Sequence, residues 1–183
     1  RYQGISSRVS YGLKDTYFVD ANFGYTGSEN FKPGSQFGFF PSIAGGWIPT
    51  KYEFIREKLP WLSFLKIRAS YGLVGNDRIS DKRFPYLTIV DDNAATGWGY
   101  GGSGIIEKTI GADNLKWEKA KKFDLGIEGR LWDERIQFVV DIFNDQRDGI
   151  FQKRTQIPGY VGLIEMPFGN VGRMKSTGAD GNI

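Results

Sequence analysis

Apolar and polar residues alternate along several stretches of the chain, most clearly in Y-F-V-D-A-N-F-G-Y, residues 17–25. Its odd positions are apolar or aromatic, and the even positions after Phe18 are aspartate, asparagine and glycine. A period of two residues is typical of a β-strand with one apolar and one polar face. The pattern predicts a strand but leaves open whether protein or lipid covers its apolar face.

The same alternation predicts an all-β fold, an antiparallel meander of about six strands and the start of a seventh. The apolar positions that indicate the six strands lie within residues 9–13, 17–25, 37–47, 65–73, 123–131 and 136–142. Between Pro49 and Leu62 the period changes, which predicts one short helix that Pro60 ends. The segment 75–114 is rich in Gly, Asp and Asn and is expected to be a long irregular connection.

The lengths of the predicted connections favour a transmembrane β-barrel. The first and fifth connections are tight turns, whereas the second, fourth and sixth are longer, and only the third, with its short helix, departs from this pattern. Outer-membrane barrels have short turns on the periplasmic side and long loops outside. The predicted strands are also about nine residues long, which is enough to cross a bilayer when the strand is tilted.

Aromatic residues at the ends of the predicted strands fit the same interpretation. If the second strand runs outward, Tyr17 lies at the inner membrane interface and Tyr25 at the outer one. Two such girdles around an aliphatic band are typical of membrane barrels. The residues predicted to form the girdles are Tyr17, Tyr25, Phe37, Trp47, Tyr71 and Trp132. On pattern alone, a soluble β-sandwich with aromatic turn residues remains the alternative.

Composition excludes several other classes of protein. The 183 residues carry a net charge of +3 without a basic block, so nucleic acid is not an expected partner. The chain has no Cys and no His, which removes thiol chemistry, histidine-based catalysis and the commonest zinc ligand. No pair among the 21 acidic residues stands out as catalytic, and Asp91-Asp92-Asn93 lacks the spacing of a calcium loop. We therefore expect no enzyme, no cofactor and no metal site.

Five stretches resemble the C-terminal barrel region of SusC/RagA-type TonB-dependent outer-membrane transporters, in the family's order and at similar spacing. They are YFVDANFGYTGSENF (17–31), FGFFPSIAGGW (37–47), LKIRASYGLVGN (65–76), ADNLKWE (112–118) and NVGRMKSTG (170–178). Two departures from the family pattern, at residues 24–28 and 112–114, are expected to change loop tips. The larger departure is completeness, because the chain supplies only about six strands and the start of a seventh. The resemblance covers nearly the whole chain, and the ordered set is more specific than any one stretch.

The resemblance implies that the sheet belongs to a large barrel of about 22 strands with a plug in its lumen. Residues 1–183 are then expected to be a fragment of the barrel domain, without the plug and the TonB box. It also implies TonB-dependent import of glycans or peptides through the outer membrane of a Gram-negative bacterium. The implied partners are TonB, which acts through the missing N-terminal region, a SusD-like surface lipoprotein that serves as a lid, and membrane lipid.

The alternation and the resemblance together imply that the apolar face meets lipid and that the polar face lines the lumen. The residues expected to face the lumen are Asp20, Asn22, Lys66, Arg68, Glu128, Arg130 and Asp141. Trp98 and Tyr100, in the glycine-rich stretch 97–102, are the candidates for contact with the substrate or the lid, because aromatic faces suit such contacts. The alternative is that they pack against side chains of their own loop or against other parts of the protein.

Two other functions remain open from the sequence. A soluble β-sandwich would be a carbohydrate-binding module that uses Trp98 and Tyr100, and a passive porin would share the barrel fold. A sandwich and a barrel differ in what covers the apolar face. A sandwich buries this face against a second sheet, whereas a barrel leaves it to lipid. The residues that report on this are Val19, Phe23, Ile67, Leu125 and Ile127.

Overall fold

The computed structural model describes residues 2–78, 84–94, 104–112, 114–155, 157–158, 161–163 and 165–183. Within these residues lie nine strands, a 3-10 turn at Pro49–Lys51 and a six-residue helix, α1, at Glu53–Lys58. The strands are β1 Tyr2–Leu13, β2 Tyr17–Ser28, β3 Phe37–Trp47, β4 Leu62–Asn76, β5 Ile89–Ala94, β6 Gly104–Thr109, β7 Glu118–Leu131, β8 Ile136–Lys153 and β9 Phe168–Asn182.

Seven strands form one antiparallel sheet in the order β1-β2-β3-β4-β7-β8-β9. Each strand pairs with its neighbour along the chain, apart from the excursion through β5 and β6. The register aligns residues of one parity, as in the row Val9, Ala21, Ile43, Tyr71 and Phe123. Because side chains alternate across a strand, this alignment gives the whole sheet one apolar face and one polar face. The predicted all-β antiparallel meander is confirmed.

The strands are longer than the alternation predicted, and the seventh is a complete strand of 15 residues. β8, for example, has 18 residues, of which the prediction covered only the first part. The five residues from Asn144 to Asp148 carry polar side chains on both faces, so no apolar period marks this part of the strand. A strand whose two faces are both polar gives no hydrophobic periodicity to read.

The long fourth connection is not irregular throughout, so that prediction was wrong in part. β5 and β6 pair as an antiparallel hairpin, with Val90 opposite Glu107. The Lys108 ammonium lies 3.6 Å from the Asp91 carboxylate. The sequence hid this hairpin because Ile89 and Val90 are adjacent and two aspartates follow them, which removes the alternation.

The two ends of the sheet differ in their connections. One end, called the inner end, carries the turns 14–16 and 132–135 and the connection 48–61 that contains α1. The opposite, outer end carries the connections 29–36, 77–117 and 154–167. The names follow the rule that membrane barrels keep their short turns on the periplasmic side.

Buried apolar residues gather at the outer end, on the polar face of the sheet. Phe31, Ala112, Leu115 and Trp117 are buried, and Phe40 and Phe151 pack against them. The six residues are called the outer-end cluster below.

No second sheet covers the apolar face in the part of the chain that the structure describes. Val19 is 47% exposed and Phe23 42% exposed. Ile67 and Leu125 are only partly buried, and Ile127 is 38% exposed. A sandwich would bury these side chains against its second sheet. Among the described residues, no helix is long and apolar enough to cross a membrane.

Candidate functional site

The residues predicted to face the lumen all lie on the polar face of the sheet. Lys66 pairs with Glu128 across β4 and β7, and Arg68 is aligned through Gly126 with Asp141 of β8. Asp20, Asn22 and Arg130 have the same parity in their strands. The structure therefore brings the predicted set together on one surface, although its orientation toward a lumen stays a prediction.

An ion-pair network joins three strands at the centre of this face. The Arg68 Nη2 donates to both carboxylate oxygens of Asp141 at 2.7 Å, and the Arg68 Nε lies 3.5 Å from a carboxylate oxygen of Glu128. The Lys66 ammonium is 3.9 Å from the same carboxylate group. The network thus joins two cations to two anions, and the Asp124 carboxylate on the same face also acts on Arg68.

Gly126 makes the contact between Arg68 and Asp141 possible. Arg68 on β4 must reach across β7 to meet Asp141 on β8. A Cβ atom at Gly126 would lie 2.2 Å from an Asp141 oxygen and 2.3 Å from the Arg68 Nε. Real Cβ atoms do not approach other atoms so closely. The bare backbone at this position therefore leaves the path through which the ion pair forms.

Further charge pairs extend the pattern over the polar face. Arg8 on β1 binds Asp20 on β2, with nitrogen–oxygen distances of 3.1 and 3.2 Å, and the Ser10 hydroxyl donates to the same carboxylate. Arg130 donates to Glu134 at 2.8 Å, with its guanidinium over the Phe64 ring. Two pairs that the sequence analysis did not single out follow the same pattern: Lys122 with Asp145 at 3.6 Å and Arg147 with Glu118 at 3.5 Å.

Small residues leave a groove beside the central network. Ala44 and Gly46 lie between Asp20 on β2 and Arg68 on β4 and line a concavity with them. The Asn22 amide, on the same face, donates to the Ser42 hydroxyl at 3.3 Å. The polar face thus offers donors and acceptors of both charges around a shallow groove, a surface chemistry that suits hydrated, polar solutes.

The predicted aromatic girdle residues of the strands lie on the apolar face. Tyr17 and Trp47 are paired near the inner end. The rings of Tyr25 and Phe37 stack toward the outer end, with centroids 5.1 Å apart. Tyr71 has the same parity in β4, and Trp132 lies in the inner turn between β7 and β8. The aliphatic residues Val19, Ala21 and Ile43 lie on this face between the two aromatic rows, and so does Phe23. Contact with membrane stays a prediction for each girdle residue.

The apolar face becomes polar toward the outer ends of β7, β8 and β9. Lys121, Asp148 and Arg173 have the parity of the apolar face there. The Asp148 carboxylate lies 3.9 Å from the Lys121 ammonium and 3.8 Å from the Arg173 Nε. Charged side chains are costly in hydrocarbon, so the outer parts of these strands extend beyond an apolar layer.

The outer-end cluster brings several of the five resembling stretches into contact. The Phe31 ring, 0% exposed, stacks on Trp117 with centroids 4.8 Å apart. Phe40 meets the same indole edge-on at 5.2 Å. The Trp117 Nε1 donates to the Gln36 carbonyl at 3.1 Å, so the buried indole nitrogen has a partner. These buried aromatic residues lie in stretches that carry the family resemblance, but no role was predicted for them.

Asn170 ties the last of these stretches to the fourth. Its side-chain oxygen accepts from the Lys116 amide at 2.9 Å, and its side-chain nitrogen donates to the Lys116 carbonyl at 2.8 Å. The same nitrogen donates to the Gly149 carbonyl at 2.7 Å. One asparagine side chain therefore replaces the ladder bonds that the segment before β7 does not make.

Asp77, directly after β4, is the buried polar centre of the outer end, and the sequence analysis missed it. Its carboxylate accepts from the Ser28 hydroxyl at 2.7 Å and from the Tyr2 hydroxyl. The Asn30 side chain donates to the Asp77 carbonyl at 3.3 Å. These bonds join β1, β2 and β4 where each strand reaches the outer loops. The available sequence signal was a single aspartate after the stretch 65–76, which no periodicity marks.

The inner end has one side-chain contact that bears on the apolar face. The hydroxyls of Tyr17 and Tyr52 lie 2.6 Å apart. This hydrogen bond is the main cause that raises the pKa of Tyr52, which lies in the connection outside the strands. The connection is thereby fastened to a residue of the apolar face.

Trp98 and Tyr100, the predicted substrate or lid contacts, lie outside the described residues. For the residues that are described, no group of three or more acidic, histidine or cysteine side chains is arranged to hold a metal ion.

An antiparallel sheet with an exposed apolar face, aromatic borders and a charged opposite face is the wall of a transmembrane β-barrel. Comparison with known families agrees. The family described as "TonB dependent receptor-like, beta-barrel" matches residues 1–183. The chain belongs to this family, and its sheet is part of an outer-membrane β-barrel.

Relatives and a solved structure match along almost the whole chain. TonB-dependent receptor P3 of Formosa agariphila is 29% identical over 98% of the chain and 17% of the receptor. TonB-dependent receptor SusC of Bacteroides thetaiotaomicron is 27% identical over 96% of the chain and 18% of SusC. A chain in the structure of the RagAB peptide transporter superposes with a TM-score of 0.82 and 27% identity, over 98% of this chain and 19% of that one. The chain thus spans less than a fifth of the length of these proteins.

Proposed function

We propose that this sheet is a wall segment of a TonB-dependent importer that carries oligosaccharides or peptides across the outer membrane. The observation that carries this proposal is the two-faced sheet of a chain that matches the family from end to end. Its apolar face is left uncovered by the described residues, and its polar face carries charges of both signs joined in ion pairs. Similarity to SusC and to the RagAB peptide transporter supports the two substrate classes.

The polar face serves as lumen wall in this proposal. Several of its charges are paired with opposite charges, as Arg68 is with Asp141, which weakens the field that a solute of either sign meets. The sheet then acts by shape and polarity, and in this proposal the protein is a transporter without enzymatic activity. Trp98 and Tyr100, in the glycine-rich stretch 97–102, are proposed to contact the substrate or the lid.

The proposed partners follow from the same similarities. A SusD-like surface lipoprotein covers the outer end, TonB supplies the energy at the inner end, and lipid covers the apolar face. A plug domain and a TonB box belong to the parts of the importer beyond this segment. The relatives support this, since the chain matches only 17% to 18% of their length.

Cysteine labelling of the intact transporter tests the two faces. A lipid-phase probe is expected to label Val19→Cys, Phe23→Cys and Ile127→Cys in membranes, because these side chains lie on the apolar face. Asn22→Cys, on the polar face, is the matched control and should react only with a water-soluble reagent. Shielding of the first three positions from both reagents would contradict the lipid-facing assignment.

Uptake measurements test the transport itself. Cells with the full-length transporter should accumulate a labelled oligosaccharide or a labelled peptide, and accumulation should stop when TonB is absent. Comparison of the two labels assigns the substrate class. Uptake that continues at the same rate without TonB would indicate a passive porin and would refute the proposal.

A further inference from the structure

The connection between β3 and β4 differs from the other inner turns. It comprises residues 48–61, whereas the other two inner turns are residues 14–16 and 132–135. It is also well fastened: the Ile48 amide donates to the Thr16 carbonyl at 2.8 Å, and the Leu65 amide donates to the Thr50 hydroxyl at 3.2 Å. Ile48 and Thr50 are buried. A fastened connection of this length presents a fixed surface at the inner end.

Aromatic contacts connect this surface with the apolar face of the sheet. Tyr17, which is paired with Trp47 on that face, shares the hydroxyl contact with Tyr52. The Tyr52 ring lies 5.8 Å from the Phe54 ring. Phe54 is 58% exposed although it is a large apolar residue. The inner aromatic row of the apolar face therefore continues from Tyr17 through Tyr52 to Phe54 on α1.

Helix geometry separates α1 into two sides. Lys58 follows Phe54 by four residues, so the two side chains lie one turn apart on the same side, next to Ile55. Arg56 follows Phe54 by two residues and lies on the opposite side. Arg56 lines a groove together with Glu53, Glu57 and Asp133 of the turn between β7 and β8. The side of α1 around Arg56 is thus polar, and Glu57, three residues after Phe54, also borders the Phe54 side.

We propose that α1 is a membrane-interface anchor of the barrel, with Phe54 inserted between the phospholipids of the inner leaflet and Lys58 bound to a phospholipid phosphate. An amphipathic helix in the plane of the interface places its apolar side at the boundary of headgroups and acyl chains. A lysine beside it extends its ammonium to the headgroups while its methylene chain stays on apolar surface. This assignment rests on the lipid-facing orientation of the apolar face, with which the aromatic row is continuous.

Fluorescence quenching in the full-length transporter tests the anchor. The protein is placed in nanodiscs of phosphatidylethanolamine and phosphatidylglycerol, with an environment-sensitive fluorophore on Phe54→Cys. Arg56→Cys, on the opposite side of α1, is the matched control, and Val19→Cys on β2 reports on the sheet. The quenchers are a phospholipid with a nitroxide near its headgroup and aqueous iodide.

Lipid nitroxide is expected to quench the label at position 54 several-fold more than the label at position 56, and iodide should give the reverse order. Equal iodide quenching at 54 and 56, with the label at 19 still quenched by lipid, overturns the anchor and leaves the proposed function intact. Loss of lipid quenching at 19 as well overturns both, because the apolar face would then not meet lipid.

The role of Lys58 has its own readout. In the Phe54→Cys background, Lys58→Glu should lower lipid quenching at position 54, since a carboxylate is repelled by the phosphates. Lys58→Arg should restore it, because the guanidinium also binds phosphate. Equal quenching with Lys58→Glu and Lys58→Arg would remove the phosphate contact from the proposal.

Discussion

The outer-end cluster and the central ion-pair network hold neighbouring strands together in different ways. At the outer end, Phe31 and Trp117 are nearly inaccessible to solvent, and their rings stack on each other, with the Trp117 Nε1 bonded to the Gln36 carbonyl. At the centre, Arg68 is 41% exposed in its side chain, and its contacts are charges. Both regions lie on the same face of the same sheet. The outer-end cluster is therefore the part of this face that stabilises the fold, and the central network is the part that meets solvent.

The two kinds of contact are worth different amounts of free energy. A buried aromatic side chain contributes through the apolar area removed from water and through close packing. An ion pair in contact with water contributes much less, since solvent and salt screen the charges. We therefore expect the outer-end cluster to carry stability and the central network to set the surface chemistry of the wall.

The largest expected effect is that of Phe31→Ala. Removal of this fully buried ring should lower the free energy of unfolding by about 3–5 kcal/mol, because a cavity remains beside Trp117. Denaturant unfolding of the full-length protein in detergent or lipid measures the change. The matched control is Phe39→Ala on the apolar face, where the ring is 55% exposed. Its loss should cost less, as hydrocarbon fills the space; an equal loss would break the comparison.

The second effect tests the close approach at the centre of the sheet. Gly126→Ala should lower the free energy of unfolding by about 1–3 kcal/mol, because the new methyl group meets both Arg68 and Asp141. Gly24→Ala is the control, since no atom lies within 4 Å of a Cβ atom added there. Similar denaturation midpoints for the two variants would show that the Arg68–Asp141 pair moves aside without cost.

Much of the sheet could be predicted from its sequence because alternation and register have the same cause. Side chains alternate across a strand, so the row from Val9 to Phe123 was visible as apolar positions before any pairing was known. The same logic assigned Lys66, Arg68 and Asp141 to one face. The resemblance to a transporter family then selected the barrel over the sandwich.

The rest could not be predicted, because it depends on contacts between distant segments. Asp77 meets Tyr2 across 75 positions of the chain, and Trp117 meets the Gln36 carbonyl across 81. Neither contact follows from the period of a local stretch. The role of Gly126 was equally hidden, since only the register shows that an arginine and an aspartate meet above it.

The smallest expected effect is the difference in coupling energy between two ion pairs of the polar face. A double-mutant cycle with Arg68→Ala and Asp141→Ala should give a coupling of about 1 kcal/mol, because the contact has two hydrogen bonds and Asp141 is mostly buried. The cycle at Arg8 and Asp20, where the arginine is 67% exposed, should give less. High salt should reduce both couplings through screening. The coupling at the Arg68–Asp141 pair could instead be as large as the Phe31→Ala effect. The ion pairs would then stabilise the sheet as strongly as the outer-end cluster does, and the proposed division between the two regions would not hold.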